Sequence, residues 1–132
     1  MYYYMNNNNA KLYSILEAPN KPVKTTHLQF DNFSVGTGSE AFSLALDVSD
    51  IRSMTICGFQ GSSSPDGTCY VELWVGDEDD SSSFLSPQSR GEFSNGMLFF
   101  GNIPIAANFV KLRIVNNHTT ARTFTIRYYM ST

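Results

Sequence analysis

The chain has 132 residues, of which 42% are hydrophobic and only 16% charged, with a net charge of −3. That length suits one domain with one core, and a polar complement of Ser, Thr, Asn and Gln argues against exposed helices, whose solvent faces carry Glu, Lys and Arg. Its nine Lys and Arg are scattered and leave no basic footprint for a phosphate backbone, which excludes nucleic acid as a partner, and no apolar run reaches the ~18 residues of a membrane span.

Residues 1–25 differ in composition from all that follows: three consecutive Tyr, four consecutive Asn, then KLYSILEAPNKPVKTT with two prolines. The opening MYYYMNNNN has neither the basic n-region nor the apolar h-region of a signal peptide, so synthesis in a cytoplasm is expected. Leu12, Ile15 and Leu16 are spaced for one helical turn or a short docking segment, too short for a stable helix alone. We read residues 1–25 as an arm that needs something to hold it and residues 26–132 as the folded domain.

Leu28 and Phe30 alternate, then Phe33 and Val35 alternate in the opposite phase, so Asp31 and Asn32 predict a bulge or a tight turn. After the turn Gly36-Thr37-Gly38, Phe42, Leu44, Leu46 and Val48 alternate with smaller or polar residues and predict a second strand facing inward. A polar corner, DVSDIRS, leads into a third strand, Ser53–Gln60, weakened at Gly58.

Pro65, Asp66 and Gly67 in GSSSPDG carry turn chemistry and predict a hairpin into residues 69–75, with Cys69, Val71, Leu73 and Val75 inward and Tyr70, Glu72 and Trp74 on the other face. Cys57 and Cys69 are then two thiols behaving as small hydrophobes, or a cross-strand disulfide if that hairpin forms; two Cys without a His pair lack the ligands of a zinc site. GDEDDSSS and SPQSRGEFSNG read as loops around a short apolar piece at Phe84 and Leu85, and residues 97–100 as a sixth strand ending before Gly101, Asn102 and Pro104.

The strongest signal lies in IPIAANFVKLRIVNN, residues 103–117, where Val110, Leu112 and Ile114 alternate with Phe109, Lys111 and Arg113. NNHTTA turns the chain into a closing strand with Phe124, Ile126, Tyr128 and Met130 on one face and Arg127 and Tyr129 on the other. Seven or eight short strands without a helix between them predict an all-β, antiparallel sandwich of jelly-roll type.

The stretch IPIAANFVKLRIVNNHTTARTFTIRYY, with LDVSDIRSMTICGFQ and SPDGTCYVELWV upstream, resembles the last hairpin and earlier strands of small jelly-roll β-sandwich domains. Such domains occur in tailed-phage virion proteins (capsid decoration, head-fibre and tail accessory proteins) and, more distantly, in carbohydrate-binding or discoidin-like modules. The resemblance implies a fold and a binding role, and it carries over no functional residue.

Catalysis is not expected. His27 and His118 stand outside any nucleophile, metal-protease or phosphate-binding motif, and no cofactor is implied. Asp77, Asp79 and Asp80 form an acidic run that could hold calcium but lacks the glycine of an EF-hand loop, so a solvated loop tip is the expected reading. The sequons at Asn32 and Asn117 are taken as accidental. Tyr70, Trp74 and Tyr129, with Tyr128 and Phe109, are candidates for a glycan-binding platform, against packing between sheets or at a subunit contact. The expectation is a non-enzymatic virion protein, capsid decoration (cement) or a head or tail appendage, binding virion subunits through Tyr2, Tyr3, Tyr4, Leu12, Ile15 and Leu16 as a cyclic homo-oligomer such as a trimer. A lectin-like or receptor-binding module is the alternative.

Overall fold

The computed structural model describes residues 23–61 and 69–132. The arm anchors Tyr2 to Leu16 and the turn Pro65-Asp66-Gly67 lie outside the described residues. The described chain forms β1 (Lys24–Val35), β2 (Ser39–Phe42), β3 (Leu46–Asp47), β4 (Ser53–Gln60), β5 (Cys69–Gly76), β6 (Pro87–Glu92), β7 (Met97–Pro104), β8 (Phe109–Asn116) and β9 (Arg122–Ser131), with no helix among them. One sheet has the order β1-β9-β4-β7 and the other β2-β8-β5-β6, with β3 continuing β2 along β8. Every pair is antiparallel. With β2 and β3 counted as one interrupted strand, this is the eight-strand, two-sheet arrangement of a jelly roll.

The core lies between the sheets and is built by the period-two rows read from the sequence. Val110, Leu112 and Ile114 of β8 meet Phe124, Ile126 and Tyr128 of β9, all fully buried, joined by Val71 and Leu73 of β5 and Ile56 of β4. Phe93 packs edge-on against Phe124 with ring centroids 5.4 Å apart. Burial pushes the Tyr128 hydroxyl far above its ordinary range, with the Ser43 side chain opposing the shift.

Several expectations are corrected. Neither expected hairpin forms: β4 and β5 lie in different sheets, as do β8 and β9. Cys57 and Cys69 therefore sit in opposite layers as thiols. The row Phe42-Leu44-Leu46-Val48 does not run inward throughout. Ser43 donates its N–H to Leu112 O at 2.8 Å, while its Oγ accepts the Leu112 N–H at 2.9 Å in place of a backbone carbonyl. The ladder breaks there, Ala41 packs toward the core, and Phe42 and Leu44 are left 45% and 86% exposed. SPQSRGEFSNG is not all loop, because β6 uses its polar residues as an edge strand that begins at Pro87, where a missing N–H costs nothing. Ser94 and Met97 close a tight turn with Asn95 and Gly96 at φ 53° and 77°, the geometry an Asn-Gly pair favours. β7 runs on through Gly101 and Asn102 to Pro104, Asn102 taking φ 54° at an irregularity in the ladder.

The bulge expected at Asp31 and Asn32 is present. The register of β1 on β9 shifts between Phe30 and Phe33, and Asn32 takes φ 51° while its N–H donates to Thr125 Oγ1 at 3.0 Å. Asn116, fully buried at the end of β8, ties the layers together. Its Nδ2 donates to Val35 O and Thr120 O, each at 3.0 Å, and its Oδ1 accepts the His118 N–H at 2.8 Å and the Cys69 thiol at 3.4 Å.

Asn116→Ala removes the donor from two carbonyls and the acceptor from one N–H, and is expected to lower the unfolding free energy by about 2–3 kcal/mol, read as an earlier midpoint in urea. Gly58→Ala gains at most ~1 kcal/mol from a stiffer unfolded chain, but its Cβ would lie 2.6 Å from Thr125 O and 3.0 Å from Ile126 Cγ1. The clash wins, and a net loss of about 1–3 kcal/mol is expected in the same measurement.

Candidate functional site

The two outer faces of the sandwich differ in how far they satisfy themselves. On the β2-β8-β5-β6 sheet, Arg113 at the centre of β8 donates its Nε to Glu40 of β2 and its Nη1 to Glu72 of β5, the latter at 2.8 Å. Glu40 first and then Glu72 hold the guanidinium pKa far above its usual value. Trp74 Nε1 donates to Glu72 Oε1 at 3.1 Å, and the indole meets Phe42 edge-on at 5.6 Å. Lys111 lies over the rings of Phe42 and Phe84, and the Arg90 guanidinium stands 3.5 Å above the Tyr70 ring. Charges and rings on this face are engaged by one another.

The outer face of the β1-β9-β4-β7 sheet is apolar and open. Cys57 of β4 pairs in register with Phe99 of β7 on one side and Arg127 of β9 on the other, and Phe59 pairs with Met97 and Thr125. Leu28 of β1 stands opposite Arg127, and Tyr129 lies in the next row beside Thr55 and Thr26. Phe59, Met97 and Phe99 are 50%, 61% and 79% exposed, with Tyr129 at 43% and Leu28 at 36%. Cys57, Phe59, Met97, Phe99, Arg127 and Tyr129, with Gly58, line a depression of about 310 Å³. Phe99 leans across Gly101, where a Cβ would come within 2.9 Å of its ring. Burial pushes the Cys57 thiol up. A contiguous apolar surface of this kind marks a place where something binds. The sequence carries a signal for it in Met97-Leu98-Phe99-Phe100, four apolar residues in a row that must present apolar side chains on both faces of an antiparallel strand.

The expected glycan platform is not brought together. Tyr70 and Trp74 stand on one outer face, Tyr129 on the opposite one, and Tyr128 is in the core. Phe109 lies at the start of β8, opposite Asp47 and Gly76. Asp77, Asp79 and Asp80 occupy an exposed loop, and among the described residues no three acidic, His or Cys side chains converge on one point. Asp80 Oδ1 instead accepts the Ser82 hydroxyl at 2.7 Å and the Ser83 N–H at 3.0 Å, which holds its carboxyl below the usual range.

His118 is engaged by a guanidinium. Arg122 Nη2 lies 2.7 Å from Nδ1 and 2.8 Å from Nε2, with the Thr120 hydroxyl 3.2 Å from Nδ1. A general base in acyl transfer is oriented by an acceptor on its second nitrogen, and here a cation stands in that place. His27 stacks on Tyr128 at 6.0 Å. Among the described residues no helix is long and apolar enough to cross a membrane.

No family model matches the chain, and no curated protein matches its sequence. Solved structures do match in shape. The VP2 subviral particle of infectious bursal disease virus aligns with a TM-score of 0.56 at 13% identity, over 85% of this chain and 33% of that one, so the chain spans about a third of the larger protein. The SPBc2 prophage-derived protein YomS aligns at 0.49 and 15% identity over 85% of this chain and 96% of its own. The carbohydrate-binding module CBM36, in complex with calcium and xylotriose, aligns at 0.45 and 8% identity over 83% and 98%. The likeness at these identities is one of fold alone: the chain is a jelly-roll β-sandwich.

Proposed function

We propose that this chain is a non-enzymatic structural protein of a virus particle, a capsid decoration (cement) protein or a small head or tail appendage, that binds neighbouring virion subunits. The observation that carries this reading is the open apolar face around Phe59, Met97 and Phe99, on a sandwich whose opposite face is closed by its own ion pairs. Such a surface is built to be covered by protein. The fold, similar in shape to a third of the VP2 subviral particle chain, fits a shell or appendage building block and gives the fold context only. The histidines fit the same reading, since one is held by Arg122 and the other stacks on Tyr128.

In this function the sandwich seats on its neighbours as part of a homo-oligomer, such as a cyclic trimer, and residues 1–25 reach an adjacent subunit with Tyr2, Tyr3, Tyr4, Leu12, Ile15 and Leu16 as anchors. Location in the virion follows from that role.

Deleting residues 1–20 is expected to leave the unfolding transition in place and abolish co-sedimentation with particles of the parent virus; unchanged sedimentation would remove the arm from the mechanism. Phe99→Ser, at a side chain 79% exposed, is expected to change the unfolding free energy by less than about 0.5 kcal/mol. It should nonetheless weaken particle binding by tenfold or more in the same assay, and wild-type binding would show that the apolar face is not the contact.

A further inference from the structure

The outer face of the β1-β9-β4-β7 sheet changes character along its strands. Phe59, Met97 and Phe99 occupy one half, and the other half carries hydroxyls around the half-exposed ring of Tyr129. Parted by the fold from Tyr70 and Trp74, Tyr129 has polar surroundings of its own. Thr26 of β1 and Thr55 of β4 both pair with it in register, so one hydroxyl stands on each neighbouring strand, ~4.8 Å to either side. Two residues further along β9, Ser131 pairs in the same way with Lys24 and Ser53. Together with Asn102 of β7, these side chains line a second depression, of about 550 Å³.

The polar groups in this depression are not engaged by one another. Among the described residues the hydroxyls of Thr26 and Ser53 make no hydrogen bond. Neither Lys24 nor Arg127, which flank Tyr129 on its two sides along the strands, is in an ion pair. Thr55 Oγ1 accepts the Asn102 N–H at 3.3 Å, which leaves its own proton to be donated. Asn102 itself takes φ 54° where the ladder of β7 on β4 slips, and such a bulge re-aims a side chain, here to the wall of the depression. None of the described residues lining it is acidic.

An open aromatic ring bracketed by unengaged hydroxyls and an amide, with a cation at each end, suits a ligand that is apolar on one face, rich in hydroxyls at its edge and negatively charged. An acidic sugar has all three properties. Its axial C–H groups lie against the electron-rich face of the tyrosine, its hydroxyls exchange hydrogen bonds with Thr, Ser and Asn, and its anionic group is drawn to Lys24 or Arg127. We propose that the hydroxyl-bearing half of this face binds a pyranose carrying a carboxylate or sulfate group, stacked on Tyr129 between Thr26 and Thr55 with its charge toward Lys24 or Arg127. The proposal goes beyond the virion reading and does not rest on it, since that reading uses the apolar half around Phe59, Met97 and Phe99.

A printed array of neutral, carboxylated and sulfated oligosaccharides tests the site with the full chain. Binding is expected to the carboxylated or the sulfated members, the array telling which, and to weaken as salt is raised. Tyr129→Ala, with an unchanged unfolding transition, is expected to weaken binding about tenfold or more, and Tyr129→Phe to restore it, because the ring and not its hydroxyl is the platform. Lys24→Ala with Arg127→Ala should remove the preference for acidic members. Silence across the array, binding to neutral members alone, or full binding by Tyr129→Ala would each overturn the proposal. Co-sedimentation with particles beside a silent array refutes the sugar site and leaves the virion reading standing, and the reverse result refutes the virion reading alone.

Discussion

Everything in this sandwich depends on β8 and β9 being consecutive in sequence, central in their sheets, and on opposite sides of one core. β8 is flanked by β2, β3 and β5, and β9 by β1 and β4. Their inward rows have no exposed surface from Val110 to Ile114 and from Phe124 to Tyr128. The short connection at residues 117–121 must carry the chain ~10 Å from one layer to the other. Asn116 holds the crossing, because its buried side-chain amide serves carbonyls of β1 and of the turn together with the N–H of His118. A hydrophobic residue of similar size would fill the space and leave those groups unpaired.

With the core fixed in this way, function is decided by what remains on the outside. The β2-β8-β5-β6 face places Arg113 between two carboxylates, and Lys111 and Arg90 lie over aromatic rings. Partly exposed pairs of this kind are worth little to stability individually. Their larger effect is to occupy the groups that a ligand would otherwise use. The opposite face has Arg127 at its centre among Cys57, Phe99 and Leu28 and no comparable arrangement of charges. The asymmetry points the protein's contacts toward one layer.

The inward rows were legible in the sequence because side-chain alternation along a strand reports directly which face is buried. Partners were not legible. Ser53–Gln60 and the strand starting at Cys69 look like the arms of a hairpin, as do the last two strands, yet in a jelly roll each such pair is split between layers. Period two carries no information about which strand lies alongside. β6 was invisible for a different reason: an edge strand packs little, so nothing forces apolar residues into PQSRGE. Phe42 and Leu44 misled because a serine hydroxyl, standing in for a carbonyl at Leu112, turns the row outward in a way composition does not announce. Tyr70, Trp74 and Tyr129 could be read as aromatics facing away from the core, but only topology shows that they face away from each other.

The size of the open face also limits how it can be covered. Fully covering a large apolar side chain gains roughly 1.5–3 kcal/mol, so finishing the burial of the half-exposed or more exposed Phe59, Met97 and Phe99 is worth about 3–6 kcal/mol. Ordering the backbone costs ~1–2 kcal/mol per residue. The gain from these three side chains offsets the ordering of only a few backbone residues, so a surface that already holds its shape covers the face at less cost than a segment that must be ordered to do so.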